Sequence, residues 1–265
     1  LLAGFSAFEV LSYRWGVASI VLIVFGWLSG CNFRLAGKDW GVVFLLSLLR
    51  AVTSFSLIIA YQNIASGVAS TIHFMYPLAV ALAMMFFFRE KKSLLVILAV
   101  LMSLLGAALL SLGELEAKSG NTMVGLVAAC VSVFSYAGYI VGVRTTRAVQ
   151  INSTALTCYV MGLGTIFYLI GAYCTSGLQL VSDGYTWLII LGLALPATAI
   201  SNITLVQAIK YAGPTLTSIL GAMEPLTAVV IGVFVFKELF TVNSAVGIIL
   251  ILLAVSIVVF RRQKS

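Results

Sequence analysis

Arg50, His73 and Glu224 are ionisable groups set inside long apolar runs, each accompanied at helical spacing by polar or aromatic side chains. Arg50 is followed by Thr53 and Ser54 at i+3 and i+4, the spacing that puts side chains on one helix face. Thr198, Ser201 and Asn202 repeat that pattern, Ser70, His73 and Tyr76 share a second face, and Thr217, Gly221 and Glu224 share its counterpart. Ser132, Ser135, Tyr136 and Tyr139 lie at i, i+3, i+4 and i+7. A lone Ser or Thr in such a run usually serves helix packing; several stripes at one depth predict a polar cavity. An ion at the centre of a bilayer costs about 2.5–3.5 kcal/mol on insertion scales, so it faces a cavity or a partner. Arg50 keeps its proton, and either grips a carboxylate or phosphate or pairs permanently with Glu224. Glu224 either exchanges a coupling proton or faces an amine. His73, the sole histidine, either senses protons or donates a hydrogen bond beside Tyr76. Ser54, Asn202, Tyr76, Tyr136 and Tyr139 would supply hydrogen bonds and ring contacts.

This is chemistry for holding a small-molecule substrate. An intramembrane enzyme needs clustered His, Asp, Glu or Cys near one membrane face. One histidine and no paired carboxylates argue against an enzyme. The four cysteines, Cys31, Cys130, Cys158 and Cys174, lack metal-ligand spacing, so neither a metal nor another cofactor is expected. A channel is the competing reading, since nothing in the pattern excludes a pore.

The elements that must position these groups follow from composition. The chain is 62% hydrophobic and 9% charged, with a mean hydropathy of +1.16, whereas soluble domains are about half apolar and a quarter charged. A helix needs about 20 apolar residues to cross a bilayer. Nine such runs lie near 9–28, 40–61, 67–88, 93–112, 122–143, 153–175, 186–209, 213–236 and 242–260. They are continuous rather than alternating, which favours helices over a membrane β-barrel. The prediction is an all-α integral membrane protein with nine spans in this chain.

The basic residues orient it. With the C-terminus cytoplasmic, Arg34, Lys38, Arg89, Lys91, Lys92, Arg144, Arg147, Lys210, Arg261, Arg262 and Lys264 all fall inside, against Lys118 and Lys237 outside. The positive-inside rule therefore puts the C-terminus in the cytoplasm, and the expected location is a plasma membrane, the inner membrane of a bacterium, crossed several times. The same rule accounts for the net charge of +7 without a nucleic-acid partner. Trp15, Trp27, Trp40 and Trp187 lie near run ends and are expected to be headgroup-level anchors. Glu9 and Arg14 read as boundary residues, with gating the alternative. Gly138 and Gly142 form a GxxxG expected to serve internal packing, leaving a monomer or a weak dimer.

"HFMYPLAVALAMMFFFRE" (73–90) and "GAMEPLTAVVIGVFVFKE" (221–238) align without a gap at a shift of 148 residues. Met75 matches Met223, Pro77 matches Pro225, Leu78 matches Leu226, Phe86 matches Phe234, Phe88 matches Phe236 and Glu90 matches Glu238. The copies lie in the third and eighth of the nine runs, an odd offset of five, so the second enters the membrane from the opposite side. This predicts an inverted repeat, as in many secondary transporters. The first repeat covers 1–116, with four spans visible, and the second covers 117–265, with five. The deficit implies a first span preceding Leu1. Pro77 and Pro225 fall mid-span, where each must break or kink its helix next to protein or a cavity.

Ten spans as five plus five, "MEPL…VFKE" with its echo "MYPL…FRE", and the arginine of "YRW" (13–15) resemble the drug/metabolite transporter superfamily in its EamA-type branch. The resemblance covers nearly the whole chain apart from the absent first span. It implies a central cavity lined by the helices that carry the polar stripes. It also implies a secondary active transporter, an exporter of small polar or amphipathic metabolites such as amino acids, working by alternating access with the proton as a candidate coupling ion.

Overall fold

The computed structural model describes residues 5–90, 93–111, 120–175, 177, 179–221, 223–234 and 241–262. Among the described residues the regular elements are all helical: α1 (Ala7–Leu28), α2 (Trp40–Asn63), α3 (Ser66–His73), α4 (Tyr76–Phe87), α5 (Leu94–Ser111), α6 (Thr122–Thr145), α7 (Ser153–Thr175), α8 (Gly184–Ala194), a π-helical turn (Leu195–Ile200), α9 (Ser201–Ala212), α10 (Pro214–Leu220), α11 (Met223–Phe234) and α12 (Val242–Arg262), beside two short 3-10 turns. Among the described residues six helical stretches are long and apolar enough to cross a membrane, with α3–α4 and α8–α9 each counted as one, and two shorter apolar helices lie near 94–109 and 245–257. Large apolar side chains face outward, among them Phe87 at 80%, Phe134 at 71% and Leu94 at 84% exposure, a surface suited to lipid rather than water. Lys237 and Glu238, which end the second copy of the repeated phrase, and the repeat boundary at 116 lie outside the described residues.

Two compact units divide the chain. The first comprises Leu1–Phe55 and Gly142–Tyr211, the second Ser56–Val141 and Ala212–Ser265. Helices α2 and α6 continue from one into the other.

In the first unit α1 packs along α7 and touches α8 and the π turn. Trp15 is 2% exposed and meets the Tyr168 ring edge to face at 5.1 Å. It is therefore no headgroup anchor, contrary to its position in the sequence. The reason is Gly164: a Cβ there would come within 2.2 Å of the indole, so only glycine admits the ring between α1 and α7. Trp27, Trp40 and Trp187 are partly or largely exposed, as anchors should be. Gly142 lies under the Leu46 side chain, a packing role for that half of the GxxxG. Gly164→Ala should lower stability by about 1–3 kcal/mol through overpacking. A reduced unfolding temperature, restored in part by adding Trp15→Leu, is the expected result; an unchanged temperature would remove the packing argument.

The ends of this unit are tied separately. At one end the Arg147 guanidinium pairs with Asp39 at 2.8 Å, Arg144 donates to the Lys210 carbonyl at 2.6 Å, and the Lys210 ammonium donates to the Ile151 carbonyl. At the other, Ser6 and Glu9 form a capping box on α1, and Glu9 also accepts from the Gln179 amide at 2.7 Å. Glu9 is 1% exposed, so it closes a helix end and joins it to the backbone at Gln179.

In the second unit α5 packs along α12, α4 along α10, and α3 against α5. Ala81, Val96, Ala99, Val100, Ile219 and Ala254 form one buried cluster, and Ala60, Ile64, Ala69 and Ala129 another. Asn63 accepts from the Asn121 amide at 3.0 Å, joining the end of α2 to the start of α6. The Thr215 hydroxyl donates to Glu90 at 2.7 Å, joining the segment after α4 to the start of α10.

Candidate functional site

The two proline motifs determine where their helices stop. Pro77 has no N–H to give the His73 carbonyl four residues back, and its ring crowds that oxygen. Helix α3 accordingly ends at His73 and α4 starts at Tyr76. Pro225 stands in the same relation to Gly221; α10 ends at Leu220, and α11 starts at Met223. The face expected to run unbroken through Ser70, His73 and Tyr76 is thus two helix ends rather than one stripe, and so is the face through Thr217, Gly221 and Glu224. The two prolines sit 148 positions apart, and the breaks beside them keep the register of the repeated phrase to within one residue.

In the second unit, side chains gather at the α3–α4 break. The His73 ring stacks on Tyr136 at 5.4 Å between centroids. Tyr76 meets Tyr136 edge-on at 4.6 Å, and Tyr136 lies parallel to Tyr139 at 6.5 Å. Tyr76 and Tyr139 are buried, and Tyr136 is half-buried. His73 Nδ1 is 2.9 Å from the Ser132 hydroxyl. That hydroxyl also lies 2.6 Å from the Ala129 carbonyl, to which it donates, an arrangement in which Nδ1 donates to the serine oxygen. Tyr61 and Ser70 share a hydrogen bond at 3.1 Å. The Tyr76 hydroxyl lies directly over Gly221, where a Cβ would come within 1.8 Å of it. The second break therefore leaves room for the aromatic group of the first. Glu224 is exposed.

The first unit holds the other cluster. Arg50 Nε donates to Asn202 Oδ1 at 3.2 Å, and its Nη1 to Ser54 Oγ, also at 3.2 Å. Ser54 and Asn202 are the residues that the 148-residue shift equates, and one guanidinium joins them. Asn202 is 2% exposed and donates its amide to the Thr198 carbonyl at 2.7 Å. Thr53, expected on the same stripe, bonds back to the Leu49 carbonyl at 2.8 Å, the packing role of a lone threonine. Arg14 was read from sequence as a boundary residue. In the structure it donates from Nε to Thr198 Oγ1 and from Nη2 to the Ala197 carbonyl at 3.2 Å, in the π turn. The signal that could have found it is Pro196, which withholds an N–H in a facing apolar run and predicts a deformed helix with carbonyls to satisfy.

Among the described residues no group of three or more His, Cys, Asp or Glu could hold a metal ion, and the described cysteines are free thiols. What the two clusters offer is fixed positive charge, hydroxyls, an amide and stacked rings, inside long apolar helices broken at prolines.

These features define a multi-pass helical membrane protein of the transporter class. The chain belongs to the EamA-like transporter family, whose model matches residues 1–112 and 123–260, and hence to the drug/metabolite transporter superfamily; it is a transporter and not an enzyme. It is 28% identical over 238 residues to a protein of Archaeoglobus fulgidus described as an uncharacterized transporter, a match covering 89% of this chain and 83% of that one. A solved crystal structure shares the fold with a TM-score of 0.83 at 17% identity, over 99% of this chain and 91% of the other.

Proposed function

We propose that the protein is a secondary active transporter that exports small polar or amphipathic metabolites, amino acids among them, by alternating access between two inverted halves, 1–116 and 117–265. The observation that carries this reading is the pair of helix breaks at Pro77 and Pro225, prolines 148 residues apart, one break holding the His73–Tyr76–Tyr136 group and the other cleared by Gly221. Broken helices that present polar groups within apolar spans are what a substrate site in a bilayer requires. In the first unit Arg50, Ser54 and Asn202 would hold a charged group, and in the second Tyr76, Tyr136 and Tyr139 would supply hydrogen bonds or ring contacts. Two family-model segments, split close to residue 116, further support the two halves.

The proposed location is a plasma membrane, the bacterial inner membrane, with the C-terminus cytoplasmic. The tie of Asp39 to Arg147, together with the Arg144 and Lys210 bonds, supports it by gathering three basic loops at one end of the first unit. Metabolites in the medium of cells with and without the protein should differ by the exported solute. In proteoliposomes, flux should saturate at modest turnover; single-channel currents would overturn the carrier reading in favour of a pore. Glu224 is the proposed proton-exchanging group. Glu224→Gln should insert normally yet flatten the pH dependence of flux, and a profile matching the unmodified protein would remove Glu224 from coupling.

A further inference from the structure

We infer that the cleft between the end of α4 and the start of α5 seats an acyl chain of an anionic phospholipid, whose headgroup phosphate rests on Arg89. The site is separate from the two clusters described above, and it stands whichever solute is carried.

Leu82, Met85 and Phe86 on α4, with Ser93, Leu94 and Ile97 at the start of α5, line a cavity of about 230 Å3 in the second unit. The three α4 residues stand at i, i+3 and i+4, on one helix face. The lining is hydrocarbon apart from Ser93, and that hydroxyl oxygen accepts from the Val96 amide at 3.4 Å, at the start of α5. Little remains to orient a polar metabolite, and the volume falls below the about 300–1,000 Å3 of small-molecule sites. The cavity begins six residues past Tyr76, about 9 Å along α4. Its walls include Phe86 and Leu94, both largely exposed, so it opens on the apolar outer face. In a bilayer that face meets lipid tails, and a tail is the occupant that an apolar cleft of this size admits.

The connection between the two walls supplies the other end of the lipid. The span Ser66–Phe87 ends there, which places the connection at headgroup level. In sequence it carries Arg89, Lys91 and Lys92 against the single acid Glu90. The Glu90 carboxylate accepts from the Thr215 hydroxyl on α10 at 2.7 Å, and among the described residues no ion pair joins it to Arg89. Arg89 is exposed, with a φ of 55°, the left-handed region that glycine usually fills after a helix end. The Phe88 and Glu90 amides both return to the Met84 carbonyl, at 3.2 and 3.1 Å, which fixes that turn. Glycine would make the turn without strain. Arginine instead sets a guanidinium on the segment that closes the apolar cleft. A phospholipid with net negative charge matches both features, its tail in hydrocarbon and its phosphate on the guanidinium.

The test uses the full-length chain in dodecyl maltoside at constant ionic strength. It is titrated with dioleoyl phosphatidylglycerol, with dioleoyl phosphatidylcholine, and with glycerol phosphate as a headgroup lacking a tail. Phosphatidylglycerol should raise the unfolding temperature most, phosphatidylcholine less, and glycerol phosphate not at all. Arg89→Gln should weaken phosphatidylglycerol binding about fivefold, the share of one basic residue at a membrane surface. Arg89→Gly should lose as much while raising the unfolding temperature of the lipid-free protein, because it relieves the left-handed backbone. An arginine serving only the fold would not give that pair of results. Leu82→Trp fills the cavity and should weaken both lipids together. Should it fail to fold, Leu94→Trp, at the most exposed lining position, takes its place. Equal responses to the two lipids, a response to glycerol phosphate as large as to phosphatidylglycerol, or undiminished phosphatidylglycerol affinity in Arg89→Gln would each overturn the inference. So would a dimer that Leu82→Trp dissociates with lipid binding unchanged, which would give the cleft to a second copy of the chain.

Discussion

Arg50→Gln should abolish most transport of anionic solutes while leaving the protein inserted and folded. The guanidinium bridges Ser54 and Asn202, side chains from two different spans, by two hydrogen bonds of 3.2 Å. Glutamine is too short to span both and carries no charge, so the solute loses a charge-assisted contact and Asn202 loses the group that orients its oxygen. A hydrogen bond to a charged group is worth about 1.5–3 kcal/mol, which corresponds to about 10- to 100-fold in affinity. Arg50→Lys should fall between the two, since an ammonium keeps the charge as a point and cannot reproduce the fork. The measurement is uptake into proteoliposomes across solutes of different charge, beside the unfolding temperature of each variant. Loss confined to anions supports a binding role. Equal loss for every solute at normal stability would make Arg50 a structural tie between α2 and α9.

Much of the fold was legible in the sequence because apolar run length and proline position act locally. The nine expected runs fall on helices, six of them long and apolar enough to cross a membrane among the described residues, and Pro77 and Pro225 mark where two of them break, because a missing N–H and a crowded carbonyl are consequences of one residue. The stripe Ser132–Tyr139 was legible for the same reason, since α6 stays continuous and keeps its period. What the sequence could not reveal depends on partners far along the chain. Trp15 looks like an interface anchor until Gly164, 149 positions later, is found beneath it. Arg14 looks like a boundary residue until the π turn at 195–200 is seen to hold its acceptors. Glu9 behaves likewise, its carboxylate answering an amide at Gln179. In each case the side chain's role is set by a π turn, a missing Cβ or a non-helical amide far along the chain, and a periodicity argument runs along one helix at a time.

The aromatic group depends on that kind of distant vacancy most of all. Gly221→Ala should therefore cost transport about tenfold or more without preventing insertion. The new methyl group would fall within 1.8 Å of the Tyr76 hydroxyl and about 3.0 Å of the Ser218 carbonyl. Tyr76 is 3% exposed, with its ring against His73 and Tyr136, so the phenol cannot swing aside freely. It must either tilt away from Tyr136 or push α10 away from α4. Ring pairs of this kind are worth about 0.5–1.5 kcal/mol each beyond their buried area. Displacing Tyr76 disturbs its pairs with His73 and Tyr136, which is how about a tenfold loss arises. Tyr76→Phe removes the atom in closest conflict, so Gly221→Ala/Tyr76→Phe should recover flux towards the level of Tyr76→Phe alone, a coupling that a double-mutant cycle measures directly. Additive losses in that cycle, or full transport by Gly221→Ala, would mean that the hydroxyl does not press on Gly221 during transport and that the aromatic group is not held by the second helix break.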